Sequence, residues 1–320
     1  MSAPRVVALS GGIGGAKLAL GLYRVLPADT LTVVVNTGDD FEHLGLTVCA
    51  DLDTTLYTLS GLANTELGWG RRDETWTFMQ VLESLGGESW FRLGDGDLAL
   101  HVERTRRLKS GEPLSEIVAD IAQRLGISAQ VVPMSDAPVR TRVATAAGEL
   151  AFQDYFVRRR CEPRVTAIRF EGAAAARPCT RALTALASDA LESIVICPSN
   201  PYLSVDPILA VPGYREALQA ARVPVIAVTP LVGGAAIKGP TAKIMAELGV
   251  PRSALAVAHH YQGLIDGFVL DERDAALAAQ FDLPVHIADT LMQSLPDRER
   301  VAREVLAFAA ALRAAPVSSE

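Results

Sequence analysis

Cysteine is scarce: the 320-residue chain has four, Cys49, Cys161, Cys179 and Cys197, and no two form a C-x-x-C. That spacing excludes a zinc knuckle and a dithiol redox pair, and leaves free thiols that read as buried. Histidine is nearly as sparse, at five. There is no H-E-x-x-H and no pair at zinc spacing, because the adjacent His259 and His260 point to different sides of either a helix or a strand. No stretch reaches the roughly 18 apolar residues that span a bilayer, and the opening "MSAPRVVALSGG" lacks the basic and long apolar regions of a signal peptide. A cytoplasmic protein with no membrane partner is expected. Positive charge is also short, 30 Lys and Arg against 37 Asp and Glu for a net −7, which opposes a nucleic-acid footprint. The expected partner is a small molecule.

What is present is apolar residue, 49% of the chain, enough for a substantial core in one large domain or two smaller ones without metal or disulfide staples. "RVVALS" (5–10) reads as a strand ending in "GGIGG", and "AKLALGLYRVL" then sets Leu18, Leu22, Val25 and Leu26 at helical spacing. "TLTVVVN" (30–36) is a second β-branched run, so the opening is βαβ with a parallel sheet and a right-handed crossover. From 65 to 163 the texture changes. "GDLALHVERTRRL" and "LSEIVADIAQRL" read as helices, and "AQVVPM", "VRTRVAT" and "ELAFQDYFV" as short strands. The first rhythm resumes at 164 with strands in "RVTAIRF", "SIVICPSN", "VPVIAVTP" and "GFVLDE" and helices near 178–189, 213–221, 240–248 and 297–313. The fold class expected is α/β: a Rossmann-like parallel sheet flanked by helices (1–64 and 164–313), an inserted α+β subdomain (65–163) and a disordered tail (314–320).

Ligands of open parallel sheets bind beyond the carboxyl ends of the strands, and four such ends carry chemistry. "SGGIGGAK" puts Gly11, Gly12, Gly14 and Gly15 between strand and helix, where backbone N–H groups and the helix N-terminus suit a phosphate; the alternative is a turn needed for packing. It is not a P-loop, since Lys17 precedes Leu18 and no Ser or Thr hydroxyl is placed for Mg²⁺. Irregular glycine spacing, and Asn36 where a dinucleotide fold places an acid, disfavour NAD. "CPSNP" offers Ser199 and Asn200, as recognition groups or as caps of local backbone. "GGAAIKGP" offers Lys238, as a phosphate counter-charge or as a solvated lysine.

The fourth end is "NTGDDFEHLGLTVCADLDTT", with Asp39, Asp40, Glu42, Asp51 and Asp53 around His43. Carboxylates next to a phosphate loop fit a hard cation such as Mg²⁺. Residues i and i+2 of a helix do not share a face, so one of Asp51 and Asp53 faces the metal while the other caps the helix or contacts substrate. Solvated turn acids with an N-cap are the other reading, and the place beyond a central strand favours function.

These motifs, with "GWGRRDETW", "WFRLGDGDLALHVERTRRLKSGEPLSE", "PMSDAPVRT" and "FQDYFVRR", occur in an order that resembles the 2-phospho-L-lactate transferase family of coenzyme F420 biosynthesis over nearly the whole chain. The resemblance implies a Mg²⁺-dependent transfer. The ribityl hydroxyl of the deazaflavin Fo attacks a phosphoryl group of a guanylylated three-carbon acid phosphate such as lactyl-2-diphospho-5′-guanosine, and GMP leaves. Related enzymes take phosphoenolpyruvate or 3-phosphoglycerate analogues, which these motifs do not separate. It further implies that Gly11, Gly12, Gly14, Gly15, Thr37, Ser199, Asn200 and Lys238 hold the donor and that Asp39 and Asp40 hold Mg²⁺. Asp51, Asp53 and Asp40 then serve the acceptor hydroxyl, Trp69 and His43 border its flat ring, and the protein is a homodimer. Gly96 interrupts a common "GDRDL", Ala50 replaces a proline, and "DETWTF" replaces a shorter "DTF", so no contact is carried over to position 96. Two other readings are a non-catalytic nucleotide-sugar-binding regulator and a nicotinamide oxidoreductase. The segments "LGDGDLALH" and "NTGDD…DLDT" oppose the first, and Asn36 the second.

Overall fold

In the computed structural model, which describes residues 5–64, 69–236 and 239–314, the first apolar run forms β1 (Arg5–Ser10), buried everywhere but at Arg5. Gly11 turns the chain into α1 (Gly12–Val25), and β2 (Leu31–Val35) follows, buried throughout. A hairpin, β3 (Phe41–His43) and β4 (Leu46–Val48), leads to α2 (Ala50–Ser60). Then come α3 (Thr77–Ser84), α4 (Asp95–Lys109), α5 (Leu114–Arg124), β5 (Gln130–Pro133), β6 (Arg140–Thr145) and β7 (Gly148–Ala151). After a π-helical turn (Asp154–Arg158), β8 (Val165–Glu171), α6 (Thr180–Leu186) and β9 (Leu191–Ile196) follow, and a second π-helical turn (Pro201–Val205) leads to α7 (Asp206–Leu209) and α8 (Tyr214–Gln219). The remainder is β10 (Val225–Val228), β11 (Leu231–Val232), β12 (Ala235–Ala236), α9 (Thr241–Glu247), α10 (Ala254–His260), β13 (Gly267–Asp271), β14 (Val285–Ala288) and α11 (Leu295–Ala314).

Seven strands make one parallel sheet in the order β14-β13-β10-β9-β1-β2-β5. The chain steps outward from β1 to β2 and β5, then returns to the other side of β1 for β9, β10, β13 and β14. Such a reversal opens a crevice at the carboxyl end of the sheet. Register keeps the ends level: Ser10 sits opposite Val35, Leu9 opposite Ile196, and the Asn36 N–H donates to the Ser10 carbonyl at 3.0 Å. Alternate side chains of β1 enter different cores. Val6 and Ala8 pack with Leu18, Leu52, Ile117 and Val301 under α1, α2, α5 and α11, whereas Val7 and Leu9 pack with Ala182, Leu218, Ile244 and Val257 on the opposite face. The expected parallel α/β sheet flanked by helices is the observed fold. Among the described residues no helix is long and apolar enough to cross a membrane.

Strand pairing differs from expectation at two places. β5, expected within the inserted segment, is the edge strand beside β2. β8, expected in the main sheet, pairs antiparallel with β6, which also pairs with β7. Burial explains the exchange: β8 is mostly solvated and suits a small antiparallel sheet, while β5 is buried at Val131, Val132 and Pro133, as a covered parallel strand must be. The expected strand in "ELAFQDYFV" stops at Ala151 and continues as the π-helical turn. α11 reaches Ala314, and the rest of the expected tail lies outside the described residues.

Candidate active site

A cavity of about 1040 Å³ lies over the carboxyl ends of β1, β2, β9 and β10 and reaches the segment after β14. Its centre is the glycine turn. Gly12, Gly14 and Gly15 form the first turn of α1, which carries no acid of its own, so the helix N-terminus and its dipole face the cavity, where the Asp51 carboxylate accepts the Gly12 N–H. Closeness explains the glycines. A Cβ on Gly11 would meet Ser204 Cβ at 2.6 Å and Asp51 Oδ2 at 2.8 Å, and one on Gly14 would strike the Pro198 carbonyl oxygen. Gly15 lies behind, against Ser10 and Ser199, and does not line the cavity. The buried Ser199 hydroxyl accepts the Gly11 N–H at 3.1 Å, tying the β9 end to the turn. Asn200 caps the turn that follows it, its Oδ1 accepting from Tyr202 and Leu203 N–H at 3.0 and 3.2 Å, and its buried Nδ2 has no partner. The residue is thus both a local cap and a donor at the cavity wall.

The acids regroup. Neighbours in sequence are not neighbours in charge, because the β3–β4 hairpin folds the "DLDT" end back over the "GDD" end. Asp39 faces Asp51: both line the cavity, and burial first, then the Asp51 charge, holds the Asp39 carboxyl well above its usual range. Burial raises Asp51 to about 6 against the pull of the Asn36 amide, 2.9 Å away, and of the Gly12 N–H. Asp40 sits behind the wall beside Cys49, raised by burial to about 7 despite Arg140 and Arg104. Thr37 is likewise buried and absent from the lining, its carbonyl accepting the Asp40 N–H at 3.2 Å. Oδ1 of both Asp39 and Asp40 is buried with no hydrogen-bond partner. Crowded, desolvated oxygen donors, two of them without a hydrogen-bond partner, fit a hard divalent cation.

Asp53 belongs to a different set. Arg104, with 0% of its surface exposed, grips it with both terminal nitrogens, Nη1 at 3.1 Å from Oδ2 and Nη2 against Oδ1. His101 lies between Asp53 and Asp97, its Nδ1 3.6 Å from Asp53 Oδ2 and its buried, unpartnered Nε2 3.4 Å from Asp97 Oδ2. The Tyr57 hydroxyl donates to Asp97 at 2.6 Å. One ligand atom from each of Asp53, Asp97 and His101 falls within 4.8 Å of the others. Arg104, 3.4 Å from His101 Nδ1, already supplies the positive charge, so these groups form an ion-paired network rather than a cation site. Asp97, His101 and Arg104 were missed in the sequence although their spacing of four and three puts them on one face of α4.

An aromatic wing completes this side. Trp90 and Phe91 line the cavity opposite Phe152 and Phe156, which stack at 5.3 Å, and Trp69 stands 48% exposed. His43, expected at the ring site, is instead buried behind it, 5.2 Å from Trp90 and 5.7 Å from Phe91, because it is the inward residue of β3. Burial lowers its pKa. The space beside Gly96 is filled by the Arg71 guanidinium, which pairs with Glu74 at 3.7 Å. Lys238 lies outside the described residues.

Fold and site together define a doubly wound α/β protein with a glycine turn and a carboxylate cluster at its switch point. Residues 6–306 match the model of the 2-phospho-L-lactate transferase CofD family. A phosphoenolpyruvate transferase of Streptomyces griseus subsp. griseus is 41% identical over 319 residues, covering 97% of this chain and all of that one. A 2-phospho-L-lactate transferase of Methanosarcina mazei is 38% identical over 304 residues, covering 94% and 99%. A solved UPF0052-family protein from Bacillus halodurans, 15% identical with a TM-score of 0.61 over 96% of this chain and 99% of its own, shares the fold. The chain belongs to the 2-phospho-L-lactate transferase family, and it is a transferase.

Proposed function

We propose that the protein transfers a phospho-three-carbon-acid group from its guanosine diphosphate adduct to the ribityl hydroxyl of Fo, releasing GMP and forming F420-0 or an analogue. The observation that carries this reading is the meeting of the α1 N-terminus with Asp39 and Asp51 at the switch point, in a chain of this family. The hydroxyl oxygen bonds the phosphorus that carries the acid, and the bond from that phosphorus to the bridging oxygen breaks. The bridging oxygen leaves with GMP.

The chain's own groups position and neutralise, which is most of what phosphoryl transfer requires. The Gly11 to Gly14 turn and the free Asn200 Nδ2 hold the diphosphate. Asp39 and Asp51, with Asp40 behind them, would hold Mg²⁺, which supplies charge neutralisation at the diphosphate. Asp53 orients the acceptor hydroxyl. Because the proton leaves late in a loose transition state, a carboxylate held in place by Arg104 suits this orienting task, and the proton passes to water as the new O–P bond forms. Trp90, Phe91 and Phe156 flank the flat ring.

The test incubates Fo, Mg²⁺ and the enolpyruvyl, lactyl or 3-phosphoglyceryl guanosine diphosphate adduct, with products read by mass. The enolpyruvyl adduct is the expected donor, since relatives named phosphoenolpyruvate transferase are 40 to 42% identical and those named 2-phospho-L-lactate transferase 36 to 38%. No product from any of the three would overturn the reading.

A further inference from the structure

The outer end of the aromatic wing is charged. One of its walls runs from Phe152 and Gln153 through Phe156 and Val157 to Arg160, all lining the cavity. Intervals of four keep Phe152, Phe156 and Arg160 on one side of the π-helical turn and its continuation. At the inner end the Gln153 amide donates to the Asp39 carbonyl at 3.1 Å, so the wall starts beside the acids and ends at Arg160. The three successive arginines divide their tasks. Arg158 and Arg159 both pair with Asp154, at 4.0 and 3.0 Å, whereas Arg160 forms no hydrogen bond or ion pair among the described residues. Its backbone is left-handed at φ 49°, as is that of Cys161 at φ 58°, and the Cys161 N–H closes the turn on the Tyr155 carbonyl at 2.9 Å. Two successive non-glycine residues are held in that region against their preference, and the result is a guanidinium delivered to the cavity.

The free charges around this wing are of one sign. Arg92 lines it beside Phe91, its guanidinium 4.6 Å from the centre of the Trp76 ring, and that of Arg158 lies 5.4 Å from the centre of Trp90. The acids nearby are engaged: Asp154 by Arg158 and Arg159, and Glu88 by the Trp90 indole N–H at 3.3 Å. Burial disfavours the charged form of His43 behind Trp90. Asp53, Asp97 and His101 line the cavity further in, with Asp53 held by Arg104. Aromatic walls that end in arginines and no carboxylate suit a flat ring carrying negative charge. Fo has such a ring. Its ring hydroxyl is conjugated with the pyrimidine carbonyl edge, so loss of the proton leaves a charge shared between both ends, and the group ionises well below an ordinary phenol at about 10.

We propose that the aromatic wing receives Fo as its ring anion, with Arg160 as the counter-charge at the outer end and Arg92 supporting it. This rests on the acceptor proposed above. The proton of the ring hydroxyl passes to solvent as Fo binds, and the ribityl hydroxyl that attacks phosphorus keeps its own. Because the charge is shared across the ring, the sign of the effect is the same whichever end lies outermost. The donor's carboxylate is tied to the phosphorus by a few bonds and stays at the inner end, whereas the ring reaches outward through the whole ribityl chain.

The full chain, in excess over Fo and without donor, is titrated from about pH 5 to 9, and the ring absorption, which changes on ionisation, is compared with that of free Fo. The wild type lowers the ring pKa by about one unit, so Fo binds about tenfold more tightly above that range than below it. Arg160→Gln returns the bound ring close to the value of free Fo and weakens Fo binding on the alkaline side alone, with the donor KM unchanged. Arg160→Lys keeps most of the shift. The side chain is exposed, so both changes spare the fold. A wild-type ring whose pKa is unmoved or raised on binding would overturn the anion and leave the reaction standing. A full shift persisting in Arg160→Gln would overturn the assignment of Arg160, and so would a rise in donor KM with Fo unaffected, which puts the guanidinium on the donor's carboxylate. A wild type that binds no Fo would overturn the acceptor reading as well.

Discussion

Asp51 and Asp53 stand two positions apart on α2, and about 200° of helical rotation separates their directions. Asp51 reaches the glycine turn and Asn36, while Asp53 reaches Arg104. Asp53→Asn leaves a buried guanidinium facing a neutral amide. It should destabilise the fold by about 3 kcal/mol and lower kcat by about a hundredfold. Adding Arg104→Met removes the orphaned charge, so the double variant should recover most of the stability in urea unfolding and none of the activity; a double variant as unstable as the single one would refute the ion-pair account. The other acids make the protein respond to pH. Asp51 and Asp40 are raised from 3.8 to about 6 and about 7, and Asp39 is raised as well. The folded state therefore binds more protons than the unfolded chain between about pH 4 and 7, and without a divalent cation this source of stability declines as pH rises through that window. A cation must displace those protons, so its affinity rises over the same window by about tenfold per unit for each proton released. Thermal melts from pH 5 to 8 should show Mg²⁺ stabilising little at pH 5 and most near pH 8. A pH-independent increment would place the ion elsewhere.

At the scale of elements, the aromatic wing is the clearest case of a surface built from segments with no sequence period. Trp90 and Phe91 lie between helices, and Phe156 is presented by a single π-helical turn. Trp90→Ala should weaken Fo binding by about tenfold, the scale of one stacking contact, with GMP binding intact; equal loss of both ligands would mean that the site had collapsed. The strands β1, β2, β9, β10 and β13 were legible because a covered parallel strand is a short β-branched run, and α1 because Leu18 and Leu22 repeat at helical spacing. Which sheet β5 and β8 join was not legible, because alternation reports a strand's exposure and not its partner. Within the site, the glycine turn, Ser199 and Asn200 were visible as loops at strand ends. The pairing of Asp39 with Asp51 was not, since it depends on the β3–β4 hairpin folding one acidic end over the other. His101 and Arg104 were hidden by the amphipathic reading of α4, which treats polar residues as solvated when here they are buried.

For the whole molecule, the strand order puts the aromatic wing and the groups assigned to the diphosphate on different parts of one sheet. The aromatic wing hangs from the β2 side, Asn200 follows β9, and β1 with its glycine turn is the hinge of the arrangement. No side chain assigned to the ring belongs to the set assigned to the nucleotide. Each ligand binds the folded chain and not the unfolded one, so at 100 times its dissociation constant it stabilises by about 2.7 kcal/mol, and contributions from sites without shared partners add within about 0.5 kcal/mol. Fo and GMP together with Mg²⁺ should therefore raise stability by about 5 kcal/mol, the sum of the separate increments. Removing the cation with a chelator should abolish most of the GMP increment and leave that of Fo, because Asp39 and Asp51 adjoin the diphosphate path and not the aromatic wing. Differential scanning fluorimetry with each ligand alone and with both gives the comparison. If the combined increment equals the larger single one, the two ligands compete for one wing, and the division of the cavity across β1 is wrong.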